Sequence, residues 1–146
     1  MELDASQRSV RLSVGELATF RNRPRPCGNG SNLWRAVVGR QWHKSSENLI
    51  KAEHPEARFE VTVSADWRHS NWLFQLNGRI DQLLPTSGGA LVREVKTIRS
   101  PLPMPDKTLL AEYPAYFAQA ATYQSMLEVL PEYAGQLITA EVQFIN

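Results

Sequence analysis

Through the middle of the chain, apolar and polar residues alternate one for one. Between Arg58 and Ala65 the apolar positions are Phe59, Val61 and Val63. From Trp72 to Asp81, Trp72, Phe74, Leu76 and Ile80 fall on one side, with Gln75, Asn77, Arg79 and Asp81 on the other. From Ala90 to Ile98, Val92, Glu94, Lys96 and Ile98 share a side. A period of two with aromatic and β-branched residues predicts half-buried strands. Asp66 to Asn71 reads as a polar turn, and Pro85-Thr86-Ser87-Gly88-Gly89 supplies turn residues between the second and third strands. The register of that hairpin stays open. A turn centred between Ser87 and Gly88 sets Asp81 opposite Glu94; one centred between Gly88 and Gly89 sets it opposite Lys96.

On either side of this block the period becomes helical. Ser13-Val14-Gly15-Glu16 has capping-box spacing and predicts a short helix from Val14 to about Phe20. Arg21 to Ser31 is rich in Arg, Pro and Gly and reads as a loop. A longer helix is expected from Asn32 to Ala52, with Trp34, Val37, Val38, Trp42 and Leu49 as its apolar stripe. Ala36, Gly39, His43 and Glu47 lie on a different face. Gly39 costs roughly 0.8–1 kcal/mol relative to Ala in a helix, so close approach by another backbone is expected there. His54-Pro55 ends this helix. After a proline-rich loop from Ser100 to Asp106, a second long helix fits Leu110 to Leu130, with Phe117, Ala120, Leu127 and Leu130 facing the core. Gln119 and Tyr123 are one turn apart on it. Pro131 and Gly135 break the pattern, and Leu137 to Ile145 reads as a last strand. The fold class is α/β, with a mixed central sheet.

Composition narrows the class more than the activity. The 146 residues suit one domain, an N-terminal helix and basic loop over 1–31 preceding a core over 32–146. Apolar and charged contents of 42% and 21% are ordinary for a globular protein. No apolar run reaches the roughly 18 residues of a membrane span, and the N-terminus lacks the apolar stretch of a signal peptide. Cys27, the single cysteine, excludes an internal disulfide and a four-cysteine metal site; its thiol is expected to be free. The expected location is cytoplasmic. Net charge is +1, although Arg8, Arg11, Arg21, Arg23 and Arg25 are opposed between residues 8 and 25 only by Glu16. That basic lead-in fits a solvated surface as well as a phosphate contact.

The chemistry gathers at the hairpin. Directly opposed residues of a strand pair stand about 4.5–5.5 Å apart at their β-carbons, so either register brings Asp81, Glu94 and Lys96 together. Two carboxylates and an ammonium on one patch of sheet are costly to bury unless a cation or a reaction uses them. Taken alone, His43 reads as an ordinary histidine, Glu47 as a solvated charge and the Gln119/Tyr123 pair as unremarkable.

Taken in order, however, these residues resemble a known pattern. Asp81 followed by Glu94-Val95-Lys96, on these elements, resembles the core of the PD-(D/E)XK nuclease superfamily. Gly39-x-x-x-His43 before the first strand and Gln119-x-x-x-Tyr123 after the Glu-x-Lys strand narrow the likeness to the RecB-like exonucleases. That group includes lambda-type exonucleases and the nucleases of CRISPR adaptation. The resemblance spans residues 13 to 145 and implies a restriction-endonuclease-like α-β-β-β-α-β core. It also implies hydrolysis of DNA phosphodiester bonds with Mg²⁺ or Mn²⁺, as an exonuclease in recombination, repair or the processing of phage and mobile-element DNA. Asp81, Glu94 and the main-chain carbonyl of Val95 would hold the ion, with His43 adding a nitrogen ligand. Lys96, Gln119 and Tyr123 would complete the catalytic set, and Glu47 would stand behind it. The partner implied is DNA; a helicase or recombination protein and a homo-oligomer also fit the group. Some members carry an iron–sulphur cluster on one upstream and three downstream cysteines; Cys27 alone leaves that set incomplete, so no cluster is expected. Two other readings stand beside this one. One is a catalytically silent nuclease fold that binds DNA within a larger helicase complex. The other is a plain α/β interaction domain in which Glu94 and Lys96 form a surface ion pair, worth about 0–1 kcal/mol.

Overall fold

The alternating runs become strands of one mixed sheet, and the two long helices pack on its opposite faces. A computed structural model of the chain describes residues 1–22 and 32–146. In order come β1 (Glu2–Asp4), β2 (Ser9–Ser13), α1 (Val14–Arg21), α2 (Asn32–Glu53), β3 (Arg58–His69) and β4 (Trp72–Thr86). They are followed by β5 (Gly89–Thr97), α3 (Asp106–Glu112), α4 (Pro114–Glu128), a 3-10 turn (Pro131–Tyr133) and β6 (Leu137–Ile145). The expected α-β-β-β-α-β order is carried by α2, β3, β4, β5, α4 and β6. Cys27, Arg23 and Arg25, with most of the expected basic loop, lie outside the described residues. Arg11 sits on β2 and pairs with Glu2 of β1 at 3.4 Å.

β4 is the strand around which the sheet divides. β3 runs antiparallel along one of its edges, from Arg58 opposite Leu83 to His69 opposite Trp72. The other edge is shared. β2 pairs parallel with Leu73 to Asn77, while β5 pairs antiparallel with Gln82 to Thr86 and carries β6 beyond it in parallel. Between Asn77 and Gln82 this edge carries no paired strand among the described residues. Thr86 faces Gly89 and Gln82 faces Arg93, so the turn centres between Ser87 and Gly88; the ladder ends at Gln82, in the register that sets Asp81 level with Glu94. Of the two registers left open by the sequence, this is the first.

Some element bounds differ from expectation for local reasons. β3 continues through the expected polar turn to His69, because its ladder with β4 holds to the end. Ser70 and Asn71 alone turn the chain, at φ 49° and 64°, the left-handed pair a tight hairpin asks for. The expected helix over 110–130 is two helices, since Pro114 forces Tyr113 out of helical geometry and then serves as the first residue of α4. The Ser13–Glu16 capping box forms as expected, Glu16 N–H donating to Ser13 Oγ and Ser13 N–H to Glu16 Oε2.

Val61, Val63, Leu76, Ile80, Leu83, Val92 and Ile138 of the sheet form the core with Tyr123, Met126 and Leu127 of α4 and Val14 of α1. Full burial of a side chain such as Leu127 contributes roughly 1.5–3 kcal/mol. α2 lies on the other face, against the odd-numbered side of β5. Gly39 approaches Thr97, and Ser46 accepts from Gln82 Nε2 at 3.4 Å. Its half-buried residues are Val38, Gly39, Trp42, His43, Ser46, Glu47 and Ile50. The expected stripe therefore does not meet the sheet as a whole: Val37 and Leu49 are 45% and 72% exposed. The side chain of Trp34 lies outside what is described. Nor does Gly39 meet another backbone among the described residues; its neighbour there is the Thr97 hydroxyl, at 3.5 Å from where a β-carbon would stand. No described helix is long and apolar enough to cross a membrane.

Candidate active site

The gap in the β4 edge is where the polar residues converge. Backbone groups that would otherwise join a ladder there are met by side chains instead, as buried amides and carbonyls require. Tyr123 Oη accepts from Arg79 N–H and donates to Arg79 C=O, both at 3.0 Å. Glu94 Oε1 accepts from Asp81 N–H at 3.4 Å, and Asp81 Oδ2 accepts from Val95 N–H at 2.8 Å. The two carboxylates are thus cross-bonded to each other's strand. Gly78 opens the space: a β-carbon there would stand 2.6 Å from Tyr123 Oη and 2.7 Å from its Cε1. The spacing Gly78-x-x-Asp81 has a physical reading on this geometry, a glycine that admits the tyrosine and then the acid at the mouth of the gap.

Glu94 is 0% exposed, and its Oε2 accepts from both Lys96 Nζ and Gln119 Nε2, each at 3.0 Å. Burial pushes its carboxyl up to about 7; the nearby Lys96 ammonium opposes this and the Asp81 charge adds to it. Burial, and then the charge of Glu94, also raise the Tyr123 hydroxyl above its ordinary value. Lys96 is held between Glu94 and the ring of Tyr116, whose centroid is 5.3 Å from Nζ. Tyr116, one turn before Gln119 on α4, was not singled out by sequence; the only signal was its helical offset from Gln119.

Asp81, Glu94, Lys96 and Gln119 therefore meet in one cluster, with Tyr123, 3% exposed, bonded into its floor. His43 does not join them directly. It stands on α2 between the Gly39 and Ser46 contacts, half-buried, with its ring edge-on to Trp42 at 6.3 Å. Glu47, one turn on, reaches Lys51 at 3.8 Å. Among the described residues no three His, Cys, Asp or Glu side chains gather into a metal-holding group. The donor set nevertheless suits a hard cation. Each carboxylate has about four lone-pair positions, and the hydrogen bonds they accept leave room on both. A buried carboxyl with so raised an affinity for protons gains from a divalent charge beside it.

A mixed central sheet flanked by helices is the restriction-endonuclease-like fold, and here an acidic pair and a lysine lie where its central strands part. The family model of the PD-(D/E)XK nuclease superfamily matches residues 11–145, and the chain belongs to that superfamily. Among solved structures it is similar to the crystal structure of SSO0001, at 25% identity and a TM-score of 0.51 over 62% of this chain. The likeness covers 41% of the SSO0001 chain, well under half its length. No curated protein matches.

Proposed function

We propose that this chain is a Mg²⁺- or Mn²⁺-dependent deoxyribonuclease of the RecB-like kind, acting as an exonuclease on cytoplasmic DNA in recombination, repair or mobile-element processing. The observation that carries the reading is the cross-bonded pair Asp81 and Glu94, with Lys96 on Glu94 Oε2. Asp81, Glu94 and the Val95 carbonyl would hold the ion, oxygen donors being those Mg²⁺ and Mn²⁺ prefer. His43, on the half-buried face of α2, is the nitrogen ligand we add to that set, which would favour Mn²⁺. A bound ion supplies an acidified water and a Lewis acid for the phosphate. The chain's own residues do the rest. Lys96 has no lone pair and so serves as a donor, orienting the water or stabilising charge on the phosphate. Gln119 restrains Glu94 through Oε2, and Tyr123 keeps the gap in the sheet open by occupying the Arg79 backbone.

End-labelled linear duplex, closed circular duplex and single-stranded DNA, each with Mn²⁺, test this together. Linear substrates should be shortened from their ends while the circle survives. Cleavage of the circle would make the activity endonucleolytic. Survival of all three in both Mn²⁺ and Mg²⁺ would remove the nuclease reading.

A further inference from the structure

A lysine reaches its target on four flexible carbons, and that freedom has to be limited if the ammonium is to act at one point. Two contacts on this molecule limit it. One is Glu94 Oε2, at 3.0 Å, an oxygen shared with Gln119. The other is the face of Tyr116, at 5.3 Å from Nζ to the ring centroid. The first is an ionic contact with a residue that the proposed function commits to a cation, so its hold on the ammonium weakens when that charge is shared. The second depends on the ring alone.

The ring is itself held in place. Tyr116 stacks parallel on Tyr113, with centroids 5.7 Å apart and planes 4° apart. Tyr113 is tied through its hydroxyl to Ser100 Oγ at 3.0 Å, and Phe144 of β6 packs against both rings at 5.6 and 6.3 Å. The break at Pro114 produces this arrangement: Tyr113 caps α4, and Tyr116 follows three residues later on the same side. The helix, the last strand and the loop after β5 thus all brace one aromatic face beside Lys96.

We propose that Tyr116 is a positioning residue for Lys96, fixing the ammonium where the chemical step needs it when Glu94 is engaged elsewhere. The proposal rests on the nuclease reading for the step itself, but the contact can be measured without it. In the metal-free full chain, carbon–proton NMR of the Lys96 ε-methylene should show an upfield ring-current shift. Tyr116→Phe should keep that shift and cleave linear DNA within about twofold of the parent. Tyr116→Leu should lose the shift and cleave about 2- to 30-fold more slowly at saturating Mn²⁺, the range a cation–π contact represents. DNA affinity in Ca²⁺ should stay within about twofold in both variants. If Tyr116→Leu does not fold by circular dichroism, Tyr116→Met is read in the same way. A ring-free variant that cleaves at the parent rate while Lys96→Ala is inactive overturns the positioning role and leaves the nuclease reading standing. A parent protein that does not cleave DNA removes both, and an unshifted ε-methylene in the parent overturns the contact on its own.

Discussion

The two faces of β5 carry the same kind of neighbour, a long helix, and hold it very differently. On the even-numbered face, Val92 and Glu94 are sealed beneath α4, and nearly every polar atom around the β4 gap has a partner. On the odd-numbered face, α2 touches the sheet through Gly39, Ser46 and their neighbours and leaves Val37 and Leu49 in solvent. The buried face fixes the two carboxylates with main-chain amides, which do not change rotamer, and holds the lysine between Glu94 and the Tyr116 ring. The open face offers His43 from a helix with few anchors. The sheet and α4 thus build one closely bonded cluster, whereas α2, which carries His43, meets the other face of the sheet through Gly39 and Ser46.

The largest expected effect lies in that cluster. Lys96→Ala should lower cleavage by about 10²–10³-fold at saturating Mn²⁺, the scale of losing one preorganised donor. DNA binding in Ca²⁺ should change little, because a contact made mainly in the transition state appears in the rate. A Lys96→Ala protein that cuts near the parent rate would leave the cluster without its central residue.

Glu94 gives the next effect, on metal-free stability. Its carboxyl titrates near 7 when folded and at its ordinary 4.5 when unfolded, so the folded chain holds the extra proton between those values. Stability should therefore fall as pH rises from about 4.5 through 7, by at most on the order of 3 kcal/mol. Glu94→Gln, which cannot ionise, should flatten that component of the melting-temperature profile; the same pH slope in both proteins would show that Glu94 is not its source.

Two glycines sharpen the contrast between the faces. Gly78→Ala places a β-carbon 2.6 Å from Tyr123 Oη and should cost about 1–3 kcal/mol through displacement of a buried ring. Gly39→Ala meets Thr97 at an ordinary 3.5 Å and should instead gain up to about 0.8–1 kcal/mol from helix propensity. Thermal melts of the two variants should move in opposite directions. A destabilised Gly39→Ala would mean that α2 packs more tightly than its exposed flank indicates.

How much of this was legible in the sequence follows from where each signal is local. The strands of the 58–98 block, the capping box at Ser13 and the last strand rest on patterns within a few residues, and each was readable. The Asp81–Glu94–Lys96 cluster was readable because a hairpin restricts its own registers. The β1–β2 hairpin was not: strands of three and five residues carry too little alternation, although Val10 and Leu12 do alternate with Ser9, Arg11 and Ser13. The fork of the sheet at β4 and the task of Tyr123 at the Arg79 backbone depend on which strands share an edge, information that no single stretch holds. The orientation of α2 was not legible for a related reason. Of its apolar stripe Val38 and Trp42 are half-buried while Val37 and Leu49 stay exposed, and the helix meets the sheet at the small residues Gly39 and Ser46.

The central claim is that Asp81 and Glu94 hold one divalent ion between them. Calorimetric titration of the metal-free protein with Mn²⁺ tests it most directly, comparing the parent with Asp81→Asn and His43→Ala. The parent should bind Mn²⁺ at a single site, and Asp81→Asn should bind at least tenfold more weakly while circular dichroism shows the fold intact. His43→Ala should weaken binding less, since His43 stands apart from the carboxylate cluster with its ring against Trp42. Unchanged Mn²⁺ affinity in Asp81→Asn, or no binding by the parent, would contradict the account.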